Sequence, residues 1–225
     1  TTDNVGSDVA IDGDTVAFDS RNEGPVGEFP GSVYVYRLDS GVWAQEQELT
    51  PDEPQSAAAP FGISLDLQGD TIVAGAPFYN QRALGPDGEA FIFDRAGDTW
   101  TQIQALLPDF AQDTGPLFGL DTQLDGDWLA IGATSELFFN PDPVSTGAVY
   151  LFRRDRDDWG FVQRVFADGA TSESSVGQVI GLDSPTLLAA CPNENINTGA
   201  IYVFDDLDTI PADFAVDPDV SILHI

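Results

Sequence analysis

The 225-residue sequence has no Lys and no Met, one Cys (Cys191) and one His (His224). Eight basic residues, all Arg, stand against 38 acidic ones, giving a formal net charge of −30. Each scarcity removes a class of function. A nucleic-acid binder needs a basic footprint to neutralise phosphates, and this chain would repel them. One Cys and one His cannot build a Cys/His zinc site or a disulfide framework. A lone His, next to last in the sequence, leaves a Ser-His-Asp or Cys-His arrangement almost no place to form. Cys191 ends the apolar run Leu187 to Ala190 and reads as a buried, inert thiol. Carboxylates are so dense that pairs ~5–9 Å apart arise by chance and single out no glycosidase-like site. No apolar run approaches the ~20 residues of a membrane-spanning helix. The sequence opens at Thr1 without an initiator Met or a signal peptide, as a processed or truncated start would.

What the chain does have is enough apolar material to fold. Hydrophobic residues make up 42% and aromatics 11%, which argues against disorder despite the charge. Dense carboxylates keep a protein hydrated. At ~1 M salt the Debye length shrinks to ~3 Å, so self-repulsion is screened there. The composition therefore suggests a saline environment; the plainer alternative is an acidic secreted protein.

Four segments are alike. Their anchor glycines, Gly6, Gly62, Gly119 and Gly177, are separated by 56, 57 and 58 residues. A Gly-Asp pair follows in three of them (Gly13-Asp14, Gly69-Asp70, Gly126-Asp127), and Ser184-Pro185 replaces it in the fourth. Each unit then carries an aromatic run, opening at Gly31, Gly88, Gly147 and Gly199. A polar turn and a Trp follow in the first three: Trp43, Trp100 and Trp159.

Each unit reads as four strands, A to D. Gly-Asp between two apolar runs is a hairpin signal. Alternation in Val33-Tyr34-Val35-Tyr36 has the period of two of a strand. No segment shows a 3.6-residue period. Four-stranded units repeated every ~40–50 residues or slightly more predict an all-β fold, a β-propeller of four blades. The repeat phase puts the blades at about 5–60, 61–117, 118–175 and 176–225 of a single 1–225 domain. They would form a closed four-blade ring or part of a larger propeller. The apolar end, residues 220–225, is expected to pair with another strand rather than leave an open edge.

Phe61-Gly62 followed by Gly75-Ala76-Pro77 resembles the signature of FG-GAP repeats, the blades of integrin α-subunit propellers and of bacterial and archaeal extracellular proteins. The resemblance covers residues 5 to about 204 and is best in the second unit. Phe18-Asp19-Ser20, Gly132-Ala133-Thr134 and Ala190-Cys191-Pro192 stand where the others would have Gly-Ala-Pro. It implies a propeller with a role in extracellular binding or adhesion, on a secreted, cell-surface or periplasmic protein, and it does not imply an enzyme. The integrin-type calcium loop between strands A and B is missing. Asp12 with Asp14, and Asp125 with Asp127, offer two carboxylates each where calcium takes 6–8 oxygens. Weak Ca2+ binding aside, no cofactor is expected, and these Asp residues suit a tight turn.

Strands that alternate up and down put the B–C and inter-blade loops on one face. There they are long, and long loops on a rigid scaffold are where binding residues usually sit. These loops carry Phe29, Phe78, Tyr79, Phe138 and Phe139, with Arg21 and Arg82. Aromatics and Arg are the usual anchors of protein interfaces; the alternative is that the aromatics fold back and cap the rim. Trp43, Trp100 and Trp159 would either line three equivalent ligand sites or pack the blades, and packing is favoured. The expected function is a non-catalytic binding, adhesion or assembly module whose loop face takes a protein partner or neighbouring subunit. A carbohydrate-binding propeller is the alternative, and a polysaccharide-degrading enzyme comes third.

Overall fold

The computed structural model describes residues 4–21, 31–52, 60–79, 87–108, 117–135, 137–139, 143–166, 174–193, 199–207 and 221–223. Among them there is no helix. Four four-stranded antiparallel sheets follow one another along the chain. The first comprises β1 (Val5–Asp12), β2 (Thr15–Ser20), β3 (Ser32–Asp39) and β4 (Val42–Leu49). The second comprises β5 (Ser64–Gln68), β6 (Thr71–Ala76), β7 (Glu89–Ala96) and β8 (Thr99–Leu106). The third takes β9 (Phe118–Asp125), β10 (Trp128–Ala133), β13 (Ala148–Asp155) and β14 (Asp158–Val165). A separate hairpin, β11 (Leu137–Phe139) with β12 (Pro143–Ser145), is inserted between its second and third strands. The fourth comprises β15 (Ile180–Asp183), β16 (Thr186–Cys191), β17 (Ala200–Phe204) and β18 (Ser221–Leu223).

Every sheet lies within one repeat unit, so the architecture is β-propeller-like and we call the sheets blades one to four. Gly13, Gly69 and Gly126 open the A–B turns with φ of 55°, 60° and 58°. A positive φ at the first central residue is what a tight II′ hairpin demands. Strands C and D carry a bulge at the same place in three blades: Val35/Tyr36, Ile92/Phe93 and Leu151/Phe152. The expected pairing of the C-terminal segment is present, with Tyr202 opposite Ile222, so β18 completes blade four.

Blades stack through apolar layers, the forward face of one against the rear face of the next. Ala17, Val33, Val35 and Leu49 of blade one meet Phe61, Leu65, Phe91 and Phe93 of blade two. Val73, Ala90 and Ile92 meet Phe118, Tyr150 and Phe152. Ala130, Val149 and Leu151 meet Val176, Leu187, Tyr202 and Phe204. Small aliphatic side chains thus face aromatic ones. Burying each large side chain contributes roughly 1.5–3 kcal/mol.

The signature glycines have a steric reason. A Cβ on Gly75 would lie 2.0 Å from the carbonyl oxygen of Gly119, and one on Gly132 would lie 2.0 Å from that of Gly177. The glycine of strand B therefore admits the anchor glycine of the next blade. Contacts run from blade one to two, two to three and three to four. Among the described residues the sheets are not closed into a ring, so of the two expected arrangements the closed four-blade ring is not observed there.

Candidate functional site

Polar side chains of one blade accept from the backbone of the next, at a fixed register. Asp8 takes the amide of Leu65 at 2.7 Å, Asp66 that of Leu124 at 2.6 Å, and Asp121 that of Ile180 at 2.6 Å. A second series stands one residue before each A–B turn. Asp12 accepts from Gly69 at 2.7 Å, Gln68 from Gly126 at 2.7 Å and Asp125 from Ser184 at 2.6 Å. Asp12 and Asp125, expected to serve their own turns, thus tie neighbouring blades together.

Burial raises the carboxyls of Asp66 and Asp121, Asp121 to about 6; their backbone hydrogen bonds oppose this and the charge of Asp8 adds to it. Among the described residues no group of three or more His, Cys, Asp or Glu is placed to hold a metal ion.

The outer strands carry a third clasp. Gln47 donates to the carbonyl of Trp100 at 2.8 Å and accepts from its amide at 2.9 Å. Gln104 does the same to Trp159, at 3.0 and 2.8 Å. Trp100 and Trp159 are each 2% exposed and pack between blades, as favoured from the sequence. Trp43 differs: at 43% exposure it lies on the rear face of blade one.

The two buried tryptophans differ in their ring nitrogens. Trp100 Nε1 donates to Glu46 at 2.9 Å, and Arg95, lying over the ring, sits 3.5 Å from the same carboxylate. At the matching position of blade two stands Ile103, three residues after its Trp as Glu46 is after Trp43. Trp159 Nε1 is buried without a hydrogen-bond partner. Arg154, lying over Trp159, turns instead to Asp94 and to the Thr71 hydroxyl.

Beside Trp159 the blade two–three junction opens into a cleft of about 310 Å³. Asp70, Thr71, Asp94, Arg95, Arg154 and Trp159 line it. Arg95 is paired with Asp70 and Arg154 with Asp94, so the cleft offers hydrogen bonds and balanced charge. It lies among the A–B turns, on the face opposite the long loops. The sequence carries its signal in the change from Glu46 to Ile103.

The loop residues singled out from sequence are placed as follows. Phe29 and Arg82 lie outside the described residues. Phe78 is exposed. Tyr79 is buried with its ring edge-on to Phe91, so it caps blade two rather than facing outward. Phe138 and Phe139 belong to β11, with Phe138 opposite Val144 in the inserted hairpin. Arg21 joins blades one and two, pairing with Asp19 at 2.7 Å and donating to the Ile63 carbonyl at 3.2 Å.

Comparison with protein families gives a match to the FG-GAP repeat at residues 43–93. The match opens at Trp43 in the outer strand of blade one and runs through the first three strands of blade two to Phe93. A search of curated proteins finds none that matches the chain. Residues 43–93 thus match the FG-GAP repeat, in the unit where Phe61-Gly62 and Gly75-Ala76-Pro77 stand complete.

Proposed function

We propose that this chain is a non-catalytic, extracellular binding module whose B–C and inter-blade loop face takes a protein partner. The FG-GAP repeat supports an adhesion or assembly role, since such repeats occur in extracellular adhesion and binding modules. The observation that carries the choice of face is the inserted β11–β12 hairpin. It interrupts the B–C connection of blade three and brings Phe138 and Phe139 onto a paired strand. A paired strand holds an aromatic anchor at lower entropic cost than an open loop. Exposed Phe78 belongs to the equivalent connection of blade two.

The test is capture of secreted or surface proteins by the immobilised chain, repeated with Phe138→Ser/Phe139→Ser and with Phe78→Ser. A specific protein should be retained by the parent and lost at least tenfold by the hairpin variant, as for interface anchors, with melting unchanged. Binding to a glycan array in place of any protein would favour the carbohydrate reading. A partner held equally by both variants would move the site off this face.

A further inference from the structure

The blade junctions repeat, yet two blade faces have no junction among the described residues. The rear face of blade one carries Val5, Val9, Ile11, Phe18, Tyr34, Tyr36 and Trp43. Val9 is 66% exposed and Ile11 68%, whereas their counterparts Leu65 and Leu67 are 5% and 4%. Phe18 stacks on Tyr34 and Tyr36 and stays partly exposed with them. The forward face of blade four carries Leu188, Ile201 and Val203. Leu188 is 40% exposed where Ala17, Val73 and Ala130 are at most 1%. Ile201 and Val203 are partly exposed where Val33, Val35, Val149 and Leu151 are fully buried.

These faces are the two halves of the joint already present three times. Aliphatic side chains of a forward face meet aromatic ones of a rear face at each internal junction, and the same two kinds of face are left at the ends. The polar register continues too. Asp183 follows Asp12, Gln68 and Asp125 in the series one residue before the turn, and is exposed. Its counterpart amide would be that of Gly13, as Gly69, Gly126 and Ser184 are for the other three. At the position of Gln47, Gln104 and Gln163, blade four has Ser221. The end faces therefore lack the Gln–Trp clasp that the blade one–two and two–three junctions carry.

We propose that the forward face of blade four docks on the rear face of blade one in a second copy of this chain. The joint is heterologous: Leu188, Ile201 and Val203 of one copy lie against Val9, Ile11, Phe18 and Trp43 of the other, and Asp183 accepts from Gly13. Such a joint uses two different surfaces and repeats head to tail. It covers apolar surface of the kind that marks interaction sites. Two chains of net charge −30 repel, so association strengthens as salt screens them.

Complementation tests this. Mass is measured in solution at molar NaCl for the parent, for Trp43→Asp and for Leu188→Asp, with Ile11→Asp as a second rear-face variant at a more exposed position. Circular dichroism melts check that each is folded. The parent should exceed the 24.1 kDa monomer mass, and each variant alone should run as a monomer. An equimolar mixture of Trp43→Asp and Leu188→Asp should recover a one-to-one complex, because one intact joint survives between them. A parent that stays monomeric, variants that still self-associate, or a mixture that stays monomeric would each overturn the proposal.

Discussion

Gln47 closes a two-bond ring on the backbone of Trp100, giving one hydrogen bond at 2.8 Å and taking another at 2.9 Å across the blade one–two junction. The side-chain amide thereby mimics one step of β-pairing between strands of different sheets. Gln104 and Trp159 repeat the arrangement one blade later. Replacing either Gln by Ala leaves an amide and a carbonyl of a buried Trp without partners. Each change should lower unfolding stability by roughly 1–3 kcal/mol in denaturant titrations. The two sites lie in separate junctions, so their effects should add.

Trp159 offers a sharper test. Ile103→Glu restores the acceptor that Glu46 supplies to Trp100, and at an exposed position it meets little steric resistance. In molar salt it should raise stability by roughly 1 kcal/mol and shift the fluorescence of Trp159. The reciprocal change, Glu46→Ile, orphans Trp100 Nε1 and removes an ion-pair partner of Arg95 and Arg37. It should cost about 1–3 kcal/mol.

Titration of Asp121 sets a pH dependence. Its folded-state value, about 6, lies above the ordinary carboxylate value. A raised value means the folded state binds the proton more tightly than the unfolded state does. The stabilisation is complete below the ordinary value and is lost as pH rises through about 6. The melting temperature should therefore climb as pH falls from 7.5 towards 5. Asp121→Asn should remove roughly 1–1.5 kcal/mol of that gain between pH 7.5 and 5. Equal slopes for parent and variant would show that Asp121 does not titrate in this range.

Salt acts on the whole molecule. With 38 acidic residues against 8 basic ones, screening should relieve repulsion, and melts should move to higher temperature from 0.05 to 2 M NaCl. A flat or falling melting temperature would count against a saline setting.

Much of the fold could be read directly. Period-two alternation and the Gly-Asp turns are local signals, and a repeat of 56 to 58 residues presents each of them several times. The strand paired with β17 was foreseeable because an apolar tail needs cover. The clasps were not, because they join residues 53 to 59 apart and depend on which blade precedes. Trp43 shows the limit. Its local sequence context matches that of Trp100, yet it is exposed because no described blade stands behind it. Asp12 and Asp125 looked like turn residues because a turn explains an Asp as well as a neighbour does. The change from Glu46 to Ile103 was visible in the repeat, but its meaning required knowing that the indole nitrogen points at that position. Residues for the loop face were chosen by type alone, and Tyr79 proved to be a cap.

Consecutive blades are held by side-chain acceptors at a repeating register. Amide hydrogen exchange at the turn glycines tests it most directly. Gly69 and Gly126 donate to Asp12 and Gln68 of the preceding blade, while Gly13 has no preceding blade among the described residues. In the monomeric Leu188→Asp variant, Gly69 and Gly126 should exchange at least about tenfold more slowly than Gly13, as bonded amides do. Equal rates at all three glycines would contradict the account.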